Sequence, residues 1–162
     1  MSKTIEPVKL RGFFRVNIEE GGKVVGDSGW CENQVTNDGI RDYLVDAIIG
    51  GTNKTVRYAA LGTGAAPASN ATALPGELAQ ATNNNRLEIT GGTSIVASRT
   101  AQFTGQFASA NSYNTASANI SNIGLFSEQS DTGADLFAGN TYASSTFATN
   151  QNVNFTYQIQ FS

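Results

Sequence analysis

The sequence predicts a mainly β protein: a two-sheet antiparallel β-sandwich, jelly-roll-like, with one short α-helix. Three observations carry this expectation. Segments with a two-residue apolar period recur at short spacing, and the clearest is the last, where Val153, Phe155, Tyr157, Ile159 and Phe161 alternate with polar residues. Glycine- and asparagine-rich turns separate them. Only one stretch, residues 36–49, has a helical period, so strands and helices do not alternate as a parallel α/β sheet would require. With 162 residues the chain reads as one domain over 9–162, preceded by an arm at 1–8. A domain of this size buries about 70% of its unfolded surface, enough for a core without staples.

The elements follow in order. Residues 1–8 lack periodicity and contain Pro7. Over 9–19, Leu10, Phe14, Val16 and Ile18 fall on one face and Arg11, Phe13, Arg15, Asn17 and Glu19 on the other, the signature of a half-buried strand. Glu20-Gly21-Gly22 turns the chain, and Lys23 to Glu32 reads as the return strand, so 9–32 is an N-terminal hairpin. Phe13 is anomalous on the polar face and is a candidate contact residue. At 36–49, Thr36 or Asn37 can cap the helix and Asp38 suits its first turn. Ile40, Tyr43, Leu44, Ala47 and Ile48 form the apolar stripe that should cover one end of the sandwich, and Gly50-Gly51 stops it.

Val56 to Leu61 reads as a strand, Gly62 to Pro67 as a tight loop, Pro75-Gly76 as a turn and 79–85 as a connector. Arg86 to Thr90 reads as a strand broken by Gly91-Gly92, and Ser94 to Ala108 as one or two more, followed by a polar loop at 109–118. Ile120 to Phe126 reads as a buried strand, with Gly124 where a neighbour comes close. A turn over 129–133 leads to a strand from Asp135 to Tyr142, and then to the final strand. About eight strands result.

Composition narrows function. The formal charge of −3 and pI near 4.8 argue against nucleic acid, which needs a basic stripe. Charged residues are only 14% of the chain, and Asn, Thr, Ser, Gln, Gly and Ala take their place, a surface suited to packing against copies of itself or a partner. Met1-Ser-Lys-Thr-Ile-Glu lacks the basic and apolar regions of a secretory signal, and no run approaches 18 apolar residues, so neither secretion nor a membrane span is expected. The Asn-X-Ser/Thr matches at Asn53, Asn70, Asn119 and Asn154 are what chance supplies in such a chain. Cys31 is the single cysteine, so it forms no internal disulfide. It is either a small strand residue or a thiol that links two chains.

No enzyme is expected. Without histidine, Ser-His-Asp and Cys-His sites cannot be built. One cysteine cannot make a zinc site, and the acids read as solvated surface rather than facing pairs. Gly62-Thr63-Gly64 lacks the third glycine, the Lys-Ser/Thr and the helix start of a phosphate loop. Glu128 to Asp135 offers oxygens around Gly133 but lacks the ligand spacing and closing Glu of a calcium loop. Cofactors and metals are therefore not expected. Trp30 reads as a core or interface anchor, or as a carbohydrate platform.

Several segments, taken in order, carry a family resemblance. They are Asn33-Gln-Val-Thr-Asn-Asp-Gly39 before the helix, Ala60-Leu-Gly-Thr-Gly-Ala-Ala-Pro67, Thr72-Ala-Leu74 with Glu77-Leu78, Ile120-Ser-Asn-Ile-Gly-Leu-Phe126, and Asp135-Leu-Phe-Ala138 before an alternating final strand. Over about residues 30–162 this resembles a broad group of tailed-bacteriophage virion proteins. The Ile-Gly-Leu-Phe segment also resembles that of phage tail-collar fibre proteins. The resemblance implies a small β-sandwich on the phage particle, made in the bacterial host cytoplasm, with no enzymatic residues to carry over. The expectation drawn from it is a capsid decoration or cement protein on the outer shell, a homo-oligomer (a trimer) whose partners are its own copies and the major capsid protein. Its candidate contacts are the arm, Phe13, Trp30 and Cys31. The alternatives are a neck, tail, baseplate or fibre adaptor, and a carbohydrate-binding sandwich that reads the host surface. The hairpin at 9–32 lies outside the shared region, where a specific docking surface is expected.

Overall fold

The computed structural model describes residues 8–51, 54–78, 86–95, 98–111, 113, 116–131 and 135–162. The arm at 1–7, the connector at 79–85 and the end of the turn at 132–134 lie outside them. Among the described residues ten strands form one continuous antiparallel sheet that folds at its middle into two layers. They are β1 (Leu10–Glu20), β2 (Lys23–Asp27), β3 (Cys31–Val35), β4 (Tyr58–Gly62), β5 (Leu87–Glu88), β6 (Gly91–Ile95), β7 (Thr100–Phe107), β8 (Ala118–Phe126), β9 (Ala138–Phe147) and β10 (Asn152–Phe161). The order is β5-β4-β8-β9-β3-β1-β10-β7-β6, with β2 on β1. The mainly β, antiparallel class expected from the sequence is what the chain adopts.

The fold in the sheet is made by β3. Its first half pairs with β1, setting Cys31 opposite Phe14 and Asn33 opposite Gly12. Its second half pairs with β9, setting Gln34 opposite Gly139 and Val35 opposite Ala138. One strand thus serves both layers and turns the corner between them. Between the layers, Phe14, Val16 and Ile18 of β1 and Val153, Phe155, Tyr157 and Ile159 of β10 meet Ile120, Ile123 and Leu125 of β8 and Ala59 and Leu61 of β4. The long β1–β10 ladder pairs Phe14 with Tyr157 and Val16 with Phe155. Its register is fixed because a one-residue slip would turn every one of these side chains to solvent.

Four local expectations are corrected. The return strand over Lys23 to Glu32 is two strands, because Gly29 takes a positive φ of 65° and Ser28 closes the break, its amide and hydroxyl both bonding Val16. Gly91-Gly92 opens β6 instead of breaking a strand, since both glycines pair with β7. Strand β9 starts at Ala138 and runs to Phe147, because Asp135 to Phe137 are drawn into an interior junction described below.

The fourth correction concerns the helix. From Gly39 to Val45 it is wound as a π-helix, between α-helical residues 37–38 and the α-helical turn Asp46–Ile49 (α1). Hydrogen bonding to the fifth residue places more residues in each turn, so a stripe with a 3.6 period does not stay on one face. Tyr43 is the stripe residue that is fully buried; Ile40 is half-exposed and Ile48 stands 84% exposed. The start of the helix is as expected, with the Gly39 amide donating to Thr36 Oγ1 at 2.9 Å. Gly39 must be glycine, since a methyl there would overlap the carbonyl oxygen of Phe137.

The two neighbouring phenylalanines of β1 test the layer assignment. Phe14 is fully buried, stacked on Tyr157 at 5.6 Å and edge-on to Tyr142 at 5.9 Å, while Phe13 stands on the outer face opposite Gln158. Phe14→Ala is expected to cost about 3–5 kcal/mol of unfolding free energy. Phe13→Ala is expected to change it by less than about 1 kcal/mol. Urea titration of both variants separates the two values.

Candidate interaction surfaces

The motifs that stand out in the sequence meet at one interior junction. At its centre is Asp135-Leu136-Phe137. The Thr36 amide donates to Phe137 O at 3.0 Å, and the Thr36 hydroxyl donates to Leu136 O at 2.5 Å. The Leu136 amide donates to Thr72 O, and the Phe137 amide to Leu125 O. The Asn37 amide donates to Ser69 O at 2.7 Å. The Tyr43 hydroxyl donates to Asp135 O at 2.6 Å, and burial pushes its phenol well up. So the segment before the helix, the loop after β4 and the strand β8 are tied together through three consecutive residues.

Charge is buried there too. Arg86 and Asp135 are each almost wholly shielded from solvent. The Arg86 guanidinium donates from Nη1 to Asp135 at 2.8 Å and from Nε to Glu77 at 2.7 Å, and lies 3.4 Å over the ring of Phe126. Asp135 also accepts from the Ser127 amide and hydroxyl and from the Glu128 amide. Burial raises the Glu77 carboxyl from its ordinary value, and Arg86 pulls against that shift. An ion cluster of this kind costs desolvation on every member, and here each carboxylate oxygen of Asp135 and Glu77 accepts at least one hydrogen bond.

The loop Gly62 to Leu78 folds back on the outer face of the second layer. The Thr63 amide donates to Gly76 O and the Gly64 amide to Pro75 O. Asn122, fully buried on β8, donates from Nδ2 to the carbonyls of Gly64, Ala65 and Pro75 at 2.9–3.2 Å. These amides are committed to carbonyls within the protein and no helix follows, so the loop is not a phosphate cradle. Leu74 from its return limb packs with Ala60, Phe126 and Leu136 in a second small core. Strand β8 is therefore covered on both faces. A side chain at Gly124 would meet Leu136 at 2.8 Å and Leu74 at 3.2 Å, the close approach its place in the sequence predicts.

Interior bonding thus occupies most of the conspicuous polar groups, with Asn122 Oδ1 and Asn33 Nδ2 buried but unbonded among the described residues, and what remains is surface. Trp30, in the bend between β2 and β3, is 52% exposed, and Val24 and Val25 of β2 are exposed in the same hairpin. Phe13 borders a polar depression with Arg11, Glu32 and Asn33. Cys31 lies on strand β3, partly packed on the core, with its thiol 3.7 Å from Ser28 O and 3.9 Å from Gly29 O. The three residues singled out from the sequence come together at the β1–β3 corner but do not form one face. Phe13 pairs with Glu32 on the outside, whereas Cys31 pairs with the core residue Phe14. A second exposed apolar group, Ile40, Val45, Ile48 and Ile49, lies on the helix. Helical periodicity assigned two of these residues to the interior, and only the π winding reveals them. Val24-Val25 carried a signal, since two adjacent apolar residues on a strand cannot both face inward.

Among the described residues no three His, Cys, Asp or Glu are placed to hold a metal ion, and no helix is long and apolar enough to cross a membrane. No family model, no curated protein and no solved structure matches the chain.

Two predictions follow from the charges. Arg86→Ala leaves the buried Asp135 and the partly buried Glu77 without their cation and is expected to cost about 3–5 kcal/mol, read by urea unfolding. The second concerns Arg15 and Asp27 on the exposed hairpin. The Arg15 hydrogen bond, then the Gly29 amide, pull the Asp27 carboxyl from its ordinary 3.8 to about 2. A lowered folded pKa contributes stability that is complete above pH 3.8 and is lost as pH falls towards about 2. The stability difference between the native chain and Asp27→Asn should therefore be level above about pH 4 and shrink below it, from a small starting value because the pair is exposed.

Proposed function

We propose that this protein is a bacteriophage virion structural protein, a capsid decoration or cement protein that binds the outer shell as a symmetric homo-oligomer and braces it. The observation that carries this reading is the interior junction. The motifs that resemble phage virion proteins are the residues that staple helix, loop and sheet together, and their polar groups are bonded inward. They are devices for holding shape. The protein has no enzymatic role in this reading, and its work is done by surfaces. The low charge content and the exposed apolar groups on the hairpin and the helix supply those surfaces with weak repulsion and contact area. The acidic balance suits an exterior position away from packaged DNA.

The resemblance to tail-collar proteins supports a neck, tail or fibre adaptor as the second reading, and half-exposed Trp30 supports glycan recognition at the host surface. The test is co-sedimentation of the purified protein with empty expanded capsids, joined to densitometry of virions against the major capsid band. A decoration protein binds the capsids and is present at hundreds of copies per particle, roughly the count that a symmetric shell offers. Binding to tails alone, or to a glycan array in a manner lost on Trp30→Ala, defeats the decoration reading.

A further inference from the structure

The two layers do not close on each other at the helix end. Ala101, Phe103 and Phe161, which β7 and β10 turn inward there, are only partly buried, as are Leu44 of the helix and Val56 just before β4. Between them lies an apolar groove of about 300 Å³. A second depression, walled by Arg99, Thr100, Ala101 and Phe161, adjoins it through the last two residues. Such a size and lining are those of a small-ligand site. We propose that the groove binds a fatty-acid anion, with its chain between the layers and its carboxylate held by Arg99. The inference goes beyond the virion reading and does not rest on it.

Shape and charge carry the argument. Arg99, Ala101 and Phe103 occupy every second position into and along β7, a span of roughly 13 Å, so the two depressions lie in line along one strand. An extended hydrocarbon chain follows such a line. At the inner end the rings of Tyr43 and Phe137 lie with centroids 4.9 Å apart, and the Tyr43 hydroxyl is committed to Asp135 O, so this end offers hydrocarbon contact. The cations stand at the rim. Arg99 is exposed, and among the described residues no carboxylate pairs with it. Lys54 lies 3.7 Å from Asp42 Oδ2, so its charge is partly met. No described aspartate or glutamate lines either depression. In a chain of net charge −3, an apolar groove lined by two cations and no carboxylate selects a ligand with an apolar body and an acidic end. The backbone of Arg99 is an independent sign. Its φ is 51°, in the left-handed region that glycines alone otherwise occupy among the described residues. Glycine or asparagine fits that conformation at lower cost, so an arginine placed there implies a use for its guanidinium. The Phe161 amide donates to Arg99 O at 3.1 Å, which fixes the root of that side chain beside the groove. A guanidinium takes a carboxylate through a pair of parallel N–H donors.

The test is calorimetric titration of the purified full chain with sodium decanoate below its micellar range. Decanoate should bind saturably, one per chain. From hexanoate to decanoate each added methylene should tighten binding about four-fold, the worth of one buried CH₂. Decyltrimethylammonium has the same chain and the opposite charge. Although the protein is acidic, this cation should bind at least about ten-fold more weakly than decanoate. Arg99→Asn suits the left-handed backbone, and should weaken decanoate binding about ten-fold with the fold confirmed by circular dichroism. Backbone amide NMR shifts on adding decanoate should fall on Ala101, Phe103 and Phe161. No saturable binding, equal affinity for the cationic amphiphile, unchanged affinity in Arg99→Asn, or shifts confined to the exposed Ile48 and Ile49 of the helix would each overturn the proposal.

Discussion

The structure depends on burying a charged crossing point. Asp135, Leu136 and Phe137 bring β8, the loop after β4 and the helix to one place, and the ion cluster of Arg86, Asp135 and Glu77 sits there under Phe126. Such a cluster contributes little net stability, since desolvation offsets attraction. Its effect is specificity: any arrangement that separates the three segments leaves a charge in the interior without a partner, so competing packings are disfavoured by several kcal/mol each. The corner strand β3 relies on the same point, because Thr36 at its end is bonded to Leu136 and Phe137.

The junction explains why the conspicuous residues are where they are. Asn122 looks like one polar residue inside an apolar strand, and its buried Nδ2 bonds the carbonyls of Gly64, Ala65 and Pro75 of the loop. Gly39 and Gly124 are narrow because Phe137 and Leu136 pass close to them. Asp135, which in sequence belongs to a loose cluster of turn acids, is held inside by four donors. A chain that spends its distinctive residues this way has its interior committed to shape.

The outer faces differ in character. The hairpin end carries Trp30 with Val24 and Val25, beside the corner where β1 and β3 meet. The helix end carries Ile48 and Ile49 and the groove below the helix.

Much of the architecture was legible from residue periodicity alone. The alternation in β1 and β10 specifies which side chains face inward, since a two-residue repeat leaves no choice once one face must be buried. Thr36 as a cap and Gly124 as a close approach were readable for similar local reasons. Other features required the folded chain. Whether Lys23 to Glu32 is one strand or two depends on Ser28 finding Val16, and Tyr43 finds the partner of its buried hydroxyl in Asp135, 92 residues away. The pairing of Arg86 with Asp135 spans 49 residues and has no periodic signature. Sequence by itself determined the class of the fold and the inward faces of its long strands, because those follow from local repeats and the hydrophobic effect. Tertiary structure alone decided the junction, the groove and the exposed face of the helix, because each is made by residues that are distant in the chain and meet only when the layers close.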